Sequence, residues 1–112
     1  MCNSVPYRNL DVTNTGAVVS AGPVRFKGGL AYNDSAGVIW LKFYDKATAA
    51  SSSDTPTFTI GLAPNDTTYL EELEGISFSL GLSIRCVTGV ADSNATAPAA
   101  NDCVVAFRVA PV

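Results

Sequence analysis

Leu82-Ser83-Ile84-Arg85-Cys86 places apolar side chains at every second position, with a serine and an arginine between them. This period of two is typical of a half-buried β-strand, because successive side chains of a strand point to opposite faces. The same alternation recurs at residues 24–27, 58–62, 76–80 and 105–109. Together these stretches predict an all-β chain.

The stretch Val38-Ile39-Trp40-Leu41-Lys42-Phe43-Tyr44 differs, because it is apolar at both parities. A strand of this kind is usually central in a sheet or lies under another element. Trp40 and Tyr44 have two interpretations, and the sequence leaves both open. They form a second layer of core, or they anchor an interface, where Trp and Tyr are enriched.

Several breaks in these patterns mark bulges and turns. Gly28-Gly29 interrupts the strand 24–32 and predicts a β-bulge or a close approach of two backbones. The acidic stretch 71–74 is a solvated turn or a single helical turn, with a cation site as the minor alternative. Residues 76–80 and 82–88 are two strands or one long strand bent at Gly81.

About eight short strands, no convincing helix and two long loops predict a single-domain β-sandwich, jelly-roll-like, spanning residues 17–112. Residues 1–16 are polar and irregular, and they are predicted to be an extended N-terminal arm or an edge strand. The loops at 46–55 and 89–102 are rich in small residues, and we expect them to be outward-facing tips.

Composition limits the classes of partner. Of the 112 residues, 47% are hydrophobic and 15% are charged, against roughly 25% charged in an average soluble domain. So few charges predict that a partner, or copies of the chain, cover part of the apolar surface. The seven Lys and Arg residues are scattered singly, which argues against binding to nucleic acid.

No apolar run approaches the roughly 20 residues that span a bilayer, so no membrane contact is predicted. The first residues lack the basic and apolar regions of a signal peptide. We therefore expect synthesis and folding in a cytosol.

The chain contains no histidine, which removes the commonest general base and the commonest metal ligand. A Ser/His/Asp or Cys/His arrangement is thereby excluded, and the protein is predicted not to be an enzyme and to need no cofactor. Asp92-Ser93-Asn94, with Asp102, offers oxygen ligands for calcium. The same residues are common in turns, where they bond their own backbone, and no metal site is predicted.

The three cysteines are Cys2, Cys86 and Cys103. Cys86 and Cys103 keep the parity of the apolar residues in their strands, so both are predicted to point inward. A buried thiol packs as a small hydrophobe. A disulfide remains an alternative, and a reactive nucleophile is the least favoured reading because there is no histidine to activate it.

A series of short stretches runs through most of the chain, from Ala17 to Val109. The stretches are 17–23 (Ala-Val-Val-Ser-Ala-Gly-Pro), Gly29-Leu30, 41–47 (Leu-Lys-Phe-Tyr-Asp-Lys-Ala), 75–78 (Gly-Ile-Ser-Phe), Gly81-Leu82 and 88–92 (Thr-Gly-Val-Ala-Asp). Their order resembles small β-sandwich structural proteins of tailed bacteriophages, among them head decoration or cement proteins.

This resemblance implies a non-enzymatic structural protein of the phage virion, a capsid decoration or cement protein that braces neighbouring capsid subunits. It would be assembled in the host cytoplasm and lie on the capsid surface. The implied partners are the major capsid protein or other virion proteins. Self-association is also implied, and a trimer is one such arrangement.

We expect the partner contacts to lie on the arm, which would add a strand to a neighbour, and on the two-faced strand. The candidate residues are Val5, Pro6, Tyr7, Arg8, Leu10, Trp40 and Tyr44. One alternative role is in a tail, connector or fibre of the virion. A second is a carbohydrate-binding or host-surface-binding module that uses aromatics such as Trp40, Tyr69 or Tyr32.

Overall fold

Antiparallel strands carry the fold. The computed structural model describes residues 4–112, and this part of the chain forms nine strands. They are β1 (Val5–Asn9), β2 (Ala17–Ser20), β3 (Val24–Asn33), β4 (Ile39–Asp45), β5 (Phe58–Leu62), β6 (Asp66–Tyr69), β7 (Ser77–Phe78), β8 (Leu82–Val87) and β9 (Cys103–Pro111). A 3-10 turn at Glu71–Leu73 follows β6, so the acidic stretch forms a single helical turn. The predicted all-β class is confirmed.

The strands form two sheets. One is five-stranded, with the order β1-β9-β3-β6 and with β7 added to β3, and the other is four-stranded, with the order β2-β8-β4-β5. The pairings are nested along the chain, because β1 pairs with β9 and β2 with β8, while β3 pairs with β6 and β4 with β5. This is the strand order of a jelly roll, and it confirms the predicted sandwich. β7 and β8 belong to different sheets, so 76–88 is not one bent strand.

The core lies between the sheets and is built from the inward members of the alternating strands. Phe107 of β9 is at its centre, with ring centroids 5.0 Å from Phe26 and 5.6 Å from Phe43. Cys86 and Cys103 are fully buried in the same cluster, which confirms their predicted inward orientation. Both are free thiols in this structure.

The expectation of a separate arm over residues 1–16 is corrected for the residues from Ser4 onward. β1 pairs with β9 along its whole length, from Val5 opposite Val109 to Asn9 opposite Val105. Val12 is 1% exposed and belongs to the core. Without β1, the edge of β9 would present unpaired backbone groups, so the segment is stable as an edge strand. Met1, Cys2 and Asn3 lie outside the described residues.

The expectation that the two long loops form outward tips is also corrected. Both loops lie against the outer surface of the four-stranded sheet. Ala50 of the first loop is buried, and its N–H donates to Ser83 Oγ at 3.0 Å. The backbone carbonyl of Asn94, in the second loop, accepts from Arg85 Nη2 at 3.2 Å. β4 therefore lies under other elements, as its two apolar faces predict.

Candidate functional site

The outer face of the five-stranded sheet is the surface turned away from the core, and no loop is bonded across its centre. One rung of paired residues crosses four strands there: Arg8 of β1 opposite Ala106 of β9, Ala106 opposite Leu30 of β3, and Leu30 opposite Tyr69 of β6. We call these four residues the outer rung. They point outward because paired residues of antiparallel strands share a face.

The outer rung forms the floor of a shallow cavity of about 440 Å³. Its rim carries Pro6, Arg108 and Glu71. Pro6 is paired with Arg108, one step along β1 and β9 from the rung. The site therefore combines an apolar floor with two arginines and one glutamate.

The exposure of the outer rung is uneven. Tyr69 is 70% exposed and Arg8 is exposed, whereas Leu30 and Ala106 are half-buried. An exposed tyrosine beside a half-buried apolar floor is typical of a surface that binds a partner. The outer face continues past the rung through Tyr32, which is paired with both Val104 and Thr67.

The predicted β-bulge is confirmed and shapes this site. The pairing of β3 with β9 shifts register between Phe26 and Gly29, and Gly28 and Gly29 have φ of 97° and 140°. A Cβ on Gly28 would lie 2.9 Å from Glu71 Oε2, so the Glu71 carboxylate rests on the bulged backbone. Arg108 Nη2 donates to the carbonyl of Lys27 at 3.0 Å, which fixes the guanidinium at the rim.

We expect Gly29→Ala to lower the free energy of unfolding by about 2 kcal/mol, through backbone strain and overpacking. A Cβ at Gly29 would lie 2.2 Å from the carbonyl oxygen of Ala106, and its φ is one that L side chains rarely adopt. The matched control is Gly37→Ala, where no atom lies within 4 Å of the added carbon. Urea unfolding of both variants checks this, and equal stabilities would show that the bulge tolerates a side chain.

The structure divides the arm residues that the sequence predicts as partner contacts. Pro6 and Arg8 lie on the outer face, at the cavity. Tyr7 points inward and stacks on Phe107, with ring centroids 6.3 Å apart. Val5 and Leu10 are 48% and 46% exposed, beyond the lining of the cavity.

Trp40 and Tyr44 are far from these residues, because they lie on the outer surface of the opposite sheet. Trp40 is half-buried with its ring over Gly61, and its role as a contact residue stays a prediction. Tyr44 is 1% exposed, and its hydroxyl accepts from Arg85 Nη1 at 2.9 Å. Tyr44 is therefore part of a second layer of core, and its expected contact with a partner is corrected.

That second layer contains two buried cations that the sequence analysis missed. Lys42 and Arg85 are paired across β4 and β8, and both are almost fully buried. Arg85 Nε donates to the carbonyl of Asn14 at 2.7 Å, and Lys42 Nζ donates to the carbonyl of Ala91. These bonds tie loops to the sheet, so we assign the two cations a structural role.

Burial lowers the pKa of the Lys42 amine below its ordinary value, and the neighbouring Arg85 lowers it further. The carboxylate of Asp92 opposes this shift in part. The only signal of this pair in the sequence is a lysine and an arginine placed between apolar neighbours in two strands.

The loop considered for calcium shows turn chemistry. Asn94 Oδ1 accepts from the backbone N–H groups of Gly89 at 3.3 Å and Thr96 at 3.2 Å. Over residues 4–112, no group of three His, Cys, Asp or Glu side chains is placed to hold a metal ion. The same residues include no helix with the length and apolar character that crossing a membrane requires.

Sequence reasoning missed most of the cavity as a site. Arg108, Glu71 and Leu30 carry no motif, and Tyr69 entered only as one of several aromatics. Their common location follows from the pairing of β9, β3 and β6.

Comparison with protein-family models, curated proteins and solved structures finds nothing that matches this chain. A functional proposal therefore rests on the residues of the chain, its structure and the resemblance described above.

Proposed function

We propose that this protein is a non-enzymatic structural component of a bacteriophage virion, and specifically a capsid decoration or cement protein. In this proposal it lies on the capsid surface and binds the major capsid protein, or another virion protein, through the outer face of its five-stranded sheet. The observation that carries the proposal is the outer rung, with the 70% exposed Tyr69 beside a half-buried apolar floor. The resemblance to phage structural proteins supplies the type of assembly.

The chemistry of the cavity indicates what the partner presents. Arg8 and Arg108 outnumber Glu71 at the cavity, so the local charge favours a carboxylate on the partner. Leu30, Ala106 and the ring of Tyr69 offer apolar surface between these charges. A capsid segment that places an apolar side chain next to an Asp or Glu fits this arrangement.

The mechanism is additive burial of surface. A standard interface buries roughly 800 Å² on each partner, which is several times the area of a single side chain and extends beyond the cavity along the outer face. In a shell the same contact repeats at every equivalent position, so a modest affinity per contact stabilises the whole particle. Strand addition by a free arm is not part of this mechanism, because β1 is already paired with β9.

The test compares two exposed apolar residues on different surfaces. Tyr69→Asp places a like charge against the proposed acidic partner, whereas Leu80→Asp changes a residue that is 63% exposed and lies away from the cavity. We expect Tyr69→Asp to lower the copy number in purified particles at least tenfold, because a desolvated like-charge contact costs about 2 kcal/mol or more. Leu80→Asp is expected to leave it unchanged.

Copy number is measured by quantitative mass spectrometry against the major shell protein, and thermal unfolding shows that both variants are folded. Wild-type protein at a fixed fraction of the shell protein would support decoration. A few to a few dozen copies would support the tail, connector or fibre alternative. Equal incorporation of Tyr69→Asp and wild type would overturn the proposed surface, and absence from particles would overturn the virion role.

A carbohydrate-binding or host-surface-binding module is the second candidate. It is favoured by the exposed ring of Tyr69 next to Glu71 and two arginines, because sugars stack on aromatic rings and hydrogen-bond to charged groups. A glycan array tests it. Binding that is lost in Tyr69→Ala and kept in Trp40→Ala would support a sugar site on the outer face, and an array without any bound glycan would exclude the glycans tested.

A further inference from the structure

Cys86 and Cys103 come from opposite sheets and meet inside the core. Both are fully buried in one cluster, and their thiols share a hydrogen bond. The chain segment next to them bridges their backbones: the Val12 N–H donates to the Cys103 carbonyl at 3.0 Å, and the Cys86 N–H donates to the Thr13 carbonyl at 2.9 Å. The two cysteines are therefore held together by their side chains and by a shared backbone neighbour.

We propose that Cys86 and Cys103 form a disulfide that joins the two sheets when a small-molecule disulfide, such as oxidised glutathione, is present. The thiolate of one cysteine attacks the oxidant, forms a mixed disulfide and releases one glutathione thiolate. The second cysteine then attacks the mixed disulfide and releases the other. The two cysteines lose two electrons and two protons, and the oxidant becomes two thiols, so the reaction balances.

The native fold controls when this reaction occurs. The neighbouring thiol and burial both raise the pKa of Cys86, and only the thiolate attacks a disulfide. The buried position also excludes the oxidant. We therefore expect slow oxidation of the folded protein and fast oxidation during folding, before the sheets close over the pair.

The bond would close the loop 87–102, which covers the outer surface of the four-stranded sheet. Closing a loop of this length constrains the unfolded chain and stabilises the native state. The proposal does not depend on a virion role, since it needs only the fold and an oxidant.

The test uses the full chain in a Cys2→Ser background, which leaves only the two core cysteines. The protein is refolded with oxidised and reduced glutathione, and free thiols are alkylated in denaturant and counted by mass spectrometry. We expect a monomer that has lost two hydrogens and carries no alkylated cysteine. Its Tm should be higher than that of the reduced protein by on the order of 10 °C.

The control is Cys103→Ala in the same background. This small substitution keeps an apolar side chain in the core, and circular dichroism shows whether it folds. Its Tm should not rise with oxidant. The proposal is overturned if both thiols of the parent remain alkylatable after oxidative refolding, or if the oxidised parent is no more stable than the reduced one.

Discussion

Arg85→Met is expected to lower the free energy of unfolding by about 3 kcal/mol. Methionine fills much of the same volume but donates no hydrogen bond. The carbonyls of Asn14 and Asn94 and the hydroxyl of Tyr44 would each lose a donor. Each unpaired buried acceptor costs about 1 kcal/mol or more. Relief of the charge repulsion on Lys42 reduces the loss but does not cancel it.

The measurement is urea unfolding of Arg85→Met, together with hydrogen exchange of the loop 89–102. The matched control is Arg25→Met, because Arg25 is exposed and its Nε lies 3.5 Å from Ser77 Oγ. We expect that control to change stability by no more than about 0.5 kcal/mol. If Arg85→Met were as stable as the control, the guanidinium would not be what holds the loops on the sheet.

Phe107→Ala is expected to be the most damaging core substitution, at about 4 kcal/mol. Its ring lies between the sheets and contacts Phe26, Phe43 and Tyr7. Truncation leaves a cavity that the two sheets cannot collapse around, since each is held by its own ladder. Tyr7 also loses its stacking partner, so β1 and its outward residues should loosen.

Phe58→Ala is the matched control for this substitution. Phe58 stacks on Phe43 with ring centroids 4.4 Å apart, but it is half-buried and lies on the edge strand β5. We expect it to cost about half as much as Phe107→Ala, because solvent and the sheet edge can adjust to the loss. Equal losses in chemical denaturation would contradict the central position assigned to Phe107.

Local pattern predicted several features of the fold correctly. The alternation at 82–86 and 105–109 predicted which side chains of β8 and β9 enter the core. Gly28-Gly29 predicted the bulge, because few other residues permit that backbone conformation. The two apolar faces of β4 indicated that something covers it. Each of these properties depends on neighbouring residues, which the sequence shows directly.

The arm and the loops were assigned wrongly for a common reason. Polar residues at 5–14 and small residues at 46–55 are typical of exposed, irregular segments. In the structure their backbones form hydrogen bonds with distant strands, as between Val12 and Cys103 or Ala50 and Ser83. Such bonds involve the main chain, so they leave little trace in side-chain composition.

The amino-acid sequence by itself determined the all-β class, the inward face of each strand and the absence of histidine-based chemistry. These follow from local periodicity and from composition. Tertiary structure decided which outward faces stay open. Loops cover the surface around Lys42 and Arg85, while Arg8, Ala106, Leu30 and Tyr69 meet on an open face. The physical reason is that strand pairing and loop packing join residues far apart in the chain, and no local pattern specifies which partners meet.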